Sequence, residues 1–147
     1  MLVDIRRAGP PDLDTLVELH REFCSIDDHP FDQQRARAAL VPLLLDDTRG
    51  VVWIVDEPAA YAVVTWGWSV EAGGAEAVLD ELFVTARDRG IGAAMVSHLL
   101  ADGRGRGLAR IFLETEAAND RVREFYRRHG FSADNSIWLS HDFVDLS

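Results

Sequence analysis

Cysteine is almost missing from this sequence: Cys24 stands alone, so no intrachain disulfide and no cysteine metal cluster can form. It falls on the apolar side of a helical pattern and reads as buried filler. Positive charge is scarce as well. Lys and Arg number 15 against 25 Asp and Glu, a formal net charge of −10, which argues against a nucleic-acid partner and an anionic membrane surface. The same field would draw in a cationic ligand, although a solvated, solubilising surface accounts for the overall charge as well. No apolar run is long enough to span a bilayer, and MLVDIRRAGPPD lacks the apolar core of a signal peptide, so the expected location is the cytoplasm. The 5 histidines show no metal-ligand spacing, and no metal is expected. Low-complexity segments, internal repeats and long linkers are lacking too. What is present is a chain of 147 residues, 48% hydrophobic, enough for one domain with a real core, spanning 1–147.

The chain begins with a short alternating stretch, Leu2–Arg6, that predicts a strand. Gly9-Pro10-Pro11-Asp12 ends it and starts a helix. Leu13, Leu16, Val17, His20 and Phe23 recur at helical spacing to about Cys24. A second helical pattern carries Ala36, Ala39, Leu40, Leu43 and Leu44, with Pro42 expected to kink or end it. Strands are predicted at Val51–Val55, Tyr61–Trp68 and Ala77–Val84, divided by turns at Asp56-Glu57-Pro58 and Gly73-Gly74. Ile91, Met95 and Leu99 then mark one face of a third helix. After a glycine-rich loop come a strand at Arg110–Thr115, a helix from Asn119, and a last strand at Ile137–Phe143. The predicted order is β-α-α-β-β-β-α-β-α-β, an α/β fold with a mixed sheet flanked by helices.

The stretch Glu76–Leu100 organises the rest: strand, Arg- and Gly-rich loop, amphipathic helix. Such an arrangement binds phosphate, because glycines let the backbone approach, loop amides point at the anion and the helix dipole favours negative charge. Asp80-Glu81-Leu82-Phe83-Val84 is followed by an Arg-x-x-Gly-x-Gly loop at Arg87, Gly90 and Gly92. Further on, Asn119-x-x-Val122-x-x-Phe125-Tyr126 precedes His129-Gly130-Phe131. These two motifs, in this order on these elements, resemble the GNAT superfamily of N-acetyltransferases, which use acetyl-CoA. The resemblance covers nearly the whole chain. Trp68–Gly74 is also similar to a hairpin of one GNAT group. Two features depart from the family pattern: only Thr85-Ala86 separate Val84 from Arg87, which makes the loop short, and Asp88 stands where glycine is usual. The Arg87 register is preferred over one starting at Arg89, because the latter puts Ser97 and His98 at apolar helix positions.

The resemblance implies a slot between the fourth and fifth strands for the pantetheine arm, paired by backbone groups near Phe83 and Val84. The Val84 amide would face the thioester carbonyl. Pyrophosphate would rest on the amides of Arg89, Gly90, Ile91 and Gly92, with the Arg87 or Arg89 guanidinium beside it. Asn119 would hydrogen-bond the pantetheine arm; taken alone it reads as a helix N-cap. Tyr126 matches the family's general acid, which protonates the departing thiolate, while its place in an i, i+3, i+4 stripe also fits core packing.

A primary ammonium with a pKa near ~10.4 is about 99.9% protonated at neutral pH, so the reaction needs a proton acceptor. Asp80 and Glu81 are the candidates, and strand alternation would point them to opposite faces. Asp80, sharing parity with Leu82 and Val84, is the first choice. Glu81 is the second. Asp27, Asp28, His29 and Glu71 fall in segments that close over the acceptor pocket in GNAT enzymes, and they suggest a cationic amine, small or on a protein. Trp66 could wall that pocket or pack in the sheet. Dimers are frequent in the superfamily, which keeps a homodimer in view. The short loop and Asp88 leave a second reading open, a binding module of this fold that holds acyl-CoA weakly or not at all and acts through partners.

Overall fold

The computed structural model describes residues 2–146 and divides into two compact units, Met1–Glu114 and Thr115–Ser147. In the first, strands β1 (Arg6–Arg7), β2 (Gly50–Val55), β3 (Ala60–Ser69), β4 (Gly74–Val84) and β5 (Arg110–Phe112) form one sheet in chain order. Neighbours are antiparallel except β4 and β5, which run parallel. The mixed sheet expected from the sequence is therefore present. Helices α1 (Leu13–Ile26), α2 (Gln33–Leu45) and α3 (Ile91–Gly105) belong to this unit.

Local chemistry explains where the first helices begin. Pro10 and Pro11 open a single 3-10 turn, where their missing N–H groups cost nothing. Asp12 closes that turn by accepting from the Gly9 amide at 2.8 Å, and it also holds the Arg6 guanidinium. The Asp32 side chain caps α2 by accepting from the Arg35 amide at 3.0 Å. Pro42 neither ends nor shortens α2, which continues to Leu45; so near the C-terminus the lost hydrogen bond is cheap to bypass.

Alternation along the strands divides the core between two faces. On one, Leu16, Val17 and Leu19 of α1 and Leu40, Leu43 and Leu44 of α2 pack with Val52, Ile54, Tyr61, Val63 and Phe83. Each fully buried aliphatic side chain of this kind contributes roughly 1.5–3 kcal/mol. On the other, α3 buries Ile91, Met95, Val96 and Leu99, and its His98 ring meets Trp53 edge-on at 4.3 Å. The face predicted for α3 is the one that is buried.

Two strand expectations are corrected at the edges. The first strand is only Arg6–Arg7, with Leu2 98% exposed. The last strand, expected at Ile137–Phe143, does not form: that segment has no regular structure, and Ile137, Leu139 and Phe143 are exposed. An apolar alternation predicts a strand only where a neighbour can take its backbone hydrogen bonds. The second unit contains α4 (Asp120–Arg127).

Candidate active site

The register of β3 on β4 holds the decisive detail. Ala60, Tyr61, Ala62 and Val63 stand opposite Val84, Phe83, Leu82 and Glu81, but the next residue, Val64, pairs with Leu79. Asp80 is thus the extra residue of a β-bulge. A bulge bends its strand and interrupts the two-residue alternation. Leu79 and its partner Val64 are buried outside the cluster that holds Val63, Tyr61 and Phe83, so the strand changes face between Leu79 and Glu81. The unbroken alternation expected along β4 is therefore interrupted at Asp80.

Glu81 is the hub of a polar chain on the α1 face. Its Oε1 accepts from the Tyr61 hydroxyl at 2.6 Å and pairs with His20 Nδ1 at 2.9 Å. His20 Nε2 lies 3.4 Å from the Cys24 sulfur. No hydrogen bond to Glu81 Oε2 is seen among the described residues. The Glu81 carboxylate, through its hydrogen bond, raises the His20 pKa above 6.5. Burial first, and then the Glu81 charge, push the Tyr61 phenol and the Cys24 thiol upward.

Asp80 is exposed as a residue, yet the surrounding chain desolvates its carboxyl. That desolvation and the Glu81 charge raise its pKa, with His20 acting in the opposite sense. Asp80 and Glu81 therefore form one electrostatic unit with His20. A carboxyl with a raised pKa is the better proton acceptor, while a carboxylate fixed by two donors is a counter-charge.

His20, Tyr61 and Cys24 carry no linear motif that points to chemistry. His20 and Cys24 stand one helical turn apart, which was legible as a shared face. Nothing linear tied them to Glu81, 61 residues from His20.

The His20–Glu81 pair also makes stability depend on pH. Because the folded state raises the His20 pKa, the stabilisation is fully present below the unfolded value of about 6.5 and is lost as pH rises through the folded value. Glu81→Gln is accordingly expected to lower the melting temperature most under mildly acidic conditions, and less as pH climbs. Thermal melts across that range check it; a gap that widens with pH contradicts the pairing.

Beside these carboxylates β4 parts from β5. Their pairing covers only Glu76–Val78 against Arg110–Phe112, pinned at its outer end by Arg110 on Glu76 at 2.9 Å. From Leu79 to Val84 the β4 backbone has no β5 partner. The loop that follows starts with the Thr85 amide and hydroxyl both donating to the Ala59 carbonyl, at 3.0 and 2.6 Å. Asp88 has φ 59° and Gly90 φ 74°, both left-handed, which glycine and, less often, aspartate tolerate. Asp88 therefore adopts a conformation suited to the glycine it replaces. Gly90 is the N-cap of α3 and no side chain caps that end. A Cβ on Gly90 would meet nothing within 4 Å. Arg87 and Arg89 are exposed beside it, and Ile91 is buried as the first helical residue.

In the second unit, Asn119 caps α4, its Oδ1 accepting from the Val122 amide at 3.2 Å. The helix closes through Gly130, at φ 92°, with the Phe131 amide donating to the Tyr126 carbonyl at 3.1 Å. The Phe131 ring then packs on Tyr126 at 5.4 Å. Burial pushes the Tyr126 phenol up to about 12.

The residues expected around an acceptor are scattered. Asp27, Asp28 and His29 are exposed in the α1–α2 connection, Asp28 with φ 55°. Trp66 donates from Nε1 to the Asp47 carbonyl at 2.7 Å and carries the Arg106 guanidinium 4.7 Å above its ring. Glu71 lies in the β3–β4 hairpin, 3.6 Å from Arg110. Trp66 and Glu71 are thus engaged toward the hairpin end of the sheet, away from the bulge. Among the described residues no group of three or more His, Cys, Asp or Glu could hold a metal ion, and no helix is long and apolar enough to cross a membrane.

The profile of the acetyltransferase (GNAT) family matches residues 13–131. The chain belongs to that family. Solved structures agree with this placement. An integron cassette protein from the Cole Harbour salt-marsh mobile metagenome is similar at 27% identity and a TM-score of 0.85, over 96% of this chain and 91% of that one. A protein of Arthrobacter sp. FB24, provisionally described as an acetyltransferase, is 25% identical with a TM-score of 0.84 over 97% of both chains. An aminoglycoside acetyltransferase from an uncultured soil sample, in complex with sisomicin, shares the fold at 15% identity and a TM-score of 0.74, over 97% of both chains. No curated protein matches the sequence. Membership of the GNAT family supports acyl transfer as the reaction class, and the open β4 backbone with the uncapped α3 end fits an acyl-CoA.

Proposed function

We propose that this GNAT protein transfers an acetyl group from acetyl-CoA to the amine of a cationic acceptor, a small molecule or a protein amino group. The observation that supports the reading is the bulge at Asp80, next to the Glu81 carboxylate held by Tyr61 and His20, at the point where β4 loses its β5 partner. Two adjacent carboxylates in a chain of net charge −10 favour a positively charged amine.

The α3 N-terminal amides from Gly90 to Gly92, with Arg87 or Arg89, would hold the pyrophosphate. Backbone groups of Phe83 and Val84 would pair with the pantetheine arm. Asn119, whose Oδ1 is used by the helix cap, keeps its amide N–H groups to offer that arm. Acetyl-CoA supplies an acetyl thioester, whose C–S bond is exchanged for the new C–N bond. Glu81 attracts the ammonium and Asp80 takes its proton. Tyr126, whose phenol burial pushes up to about 12, keeps its proton and by the family resemblance would be the donor to the leaving sulfur. The products are the amide, the free thiol and one proton.

A binding module remains the second reading, favoured by Asp88 exposed between two arginines. Calorimetry with acetyl-CoA, followed by a screen of amines read by thiol release, separates the two. Coenzyme binding with amine-dependent thiol release is expected. Binding without release from any amine points to the module, and no heat at millimolar coenzyme removes the enzyme reading.

A further inference from the structure

Resting on the proposed acetyl transfer, we propose that His20 is a positioning residue for that reaction: it fixes Glu81 and, by gaining or losing a proton, sets the charge that the acceptor meets. Donors and acceptors decide where the protons sit. Oε1 of Glu81 is shared by the Tyr61 hydroxyl and His20 Nδ1, at 2.6 and 2.9 Å. A carboxylate oxygen only accepts, so His20 carries its proton on Nδ1. Neutral His20 then has a lone pair on Nε2, and the Cys24 thiol, 3.4 Å away, donates to it. Every hydrogen in the chain points toward Glu81. Cys24 thereby supports the tautomer that Glu81 fixes, by donating to the nitrogen left without a proton.

The consequence is geometric and electrostatic. With Oε1 occupied, Glu81 presents Oε2 as its remaining acceptor in a fixed direction. With His20 neutral, the carboxylate charges of Glu81 and Asp80 are both available to an ammonium. Protonation of His20 adds an N–H at Nε2 and a positive charge in direct contact with Glu81, so one of the two negative charges is offset.

The groups around His20 leave few other candidates for that switch. From β4 come Glu81 and Asp80, from β3 Tyr61, and from α1 Cys24, with Asp27 acting on the thiol. The Phe31 ring covers the imidazole at 5.8 Å and itself carries Arg21 at 4.4 Å. Tyr61 and Cys24 have their pKa values pushed up and stay neutral where His20 titrates.

The test compares wild type with His20→Asn, whose amide can donate to Oε1 but carries no titratable charge. The acceptor is the amine giving the fastest thiol release, chosen among alkylammonium ions that stay charged over the range used. In wild type, KM for that amine is expected to rise roughly fivefold as pH falls through the His20 transition, with a smaller change in kcat. In His20→Asn that rise should vanish. The same acid rise in the variant overturns the proposal. Imidazole NMR on the wild-type fold provides a second readout: the His20 midpoint should fall in Glu81→Gln, and an unmoved midpoint also overturns it. Failure of the parent reading looks different. There, no amine supports thiol release, or Asp80→Asn and Glu81→Gln both leave kcat and KM unaltered, and the role of His20 falls with it.

Discussion

Asp80→Asn is expected to lower kcat for amine acetylation by roughly a hundred- to ten-thousandfold, the usual worth of a positioned acid or base, while raising the melting temperature at neutral pH. The two effects share one cause. Asp80 is held where desolvation and the Glu81 charge oppose its ionised form, which makes it more basic and also costs stability. Its folded pKa is raised, so the cost is present above that value and disappears below the unfolded pKa of about 3.9. The stability gain of the Asp80→Asn variant should therefore fade on acidification. Steady-state kinetics and melts at two pH values measure both. Unimpaired turnover would place the proton acceptor elsewhere, and a lowered melting temperature would contradict the electrostatic account of the bulge.

Tyr126→Phe is expected to cost roughly a hundredfold or more in kcat, with acetyl-CoA affinity and melting temperature nearly unchanged. The ring contact with Phe131, at 5.4 Å, survives the substitution. Among the described residues the phenol hydroxyl makes no hydrogen bond whose loss would destabilise the fold. Only the proposed proton donor is removed. Single-turnover thiol release beside coenzyme calorimetry separates the steps. Unchanged turnover takes Tyr126 out of the mechanism, and lost affinity makes it a binding residue instead.

Legibility from sequence varied with the range of the interaction. The buried stripe of α3, Ile91, Met95 and Leu99, follows from helical spacing alone. Gly90 as the α3 cap and Gly130 at the end of α4 follow from backbone sterics at single positions. Asn119 as N-cap is equally local. The closing strand was misread because Ile137, Leu139 and Phe143 alternate correctly, yet a strand is a property of two segments.

The amino-acid order by itself therefore determined the family, the helices, most of the sheet and the glycine loop that opens α3, because each depends on residues within a few positions of one another. Tertiary structure alone decided the chemistry of the carboxylates. The bulge exists only in the register of β4 against β3, and the hydrogen bonds of Glu81 reach Tyr61 and His20 across 20 and 61 positions. Charge and proton affinity depend on neighbours in space, and the chain supplies those neighbours only after it has folded.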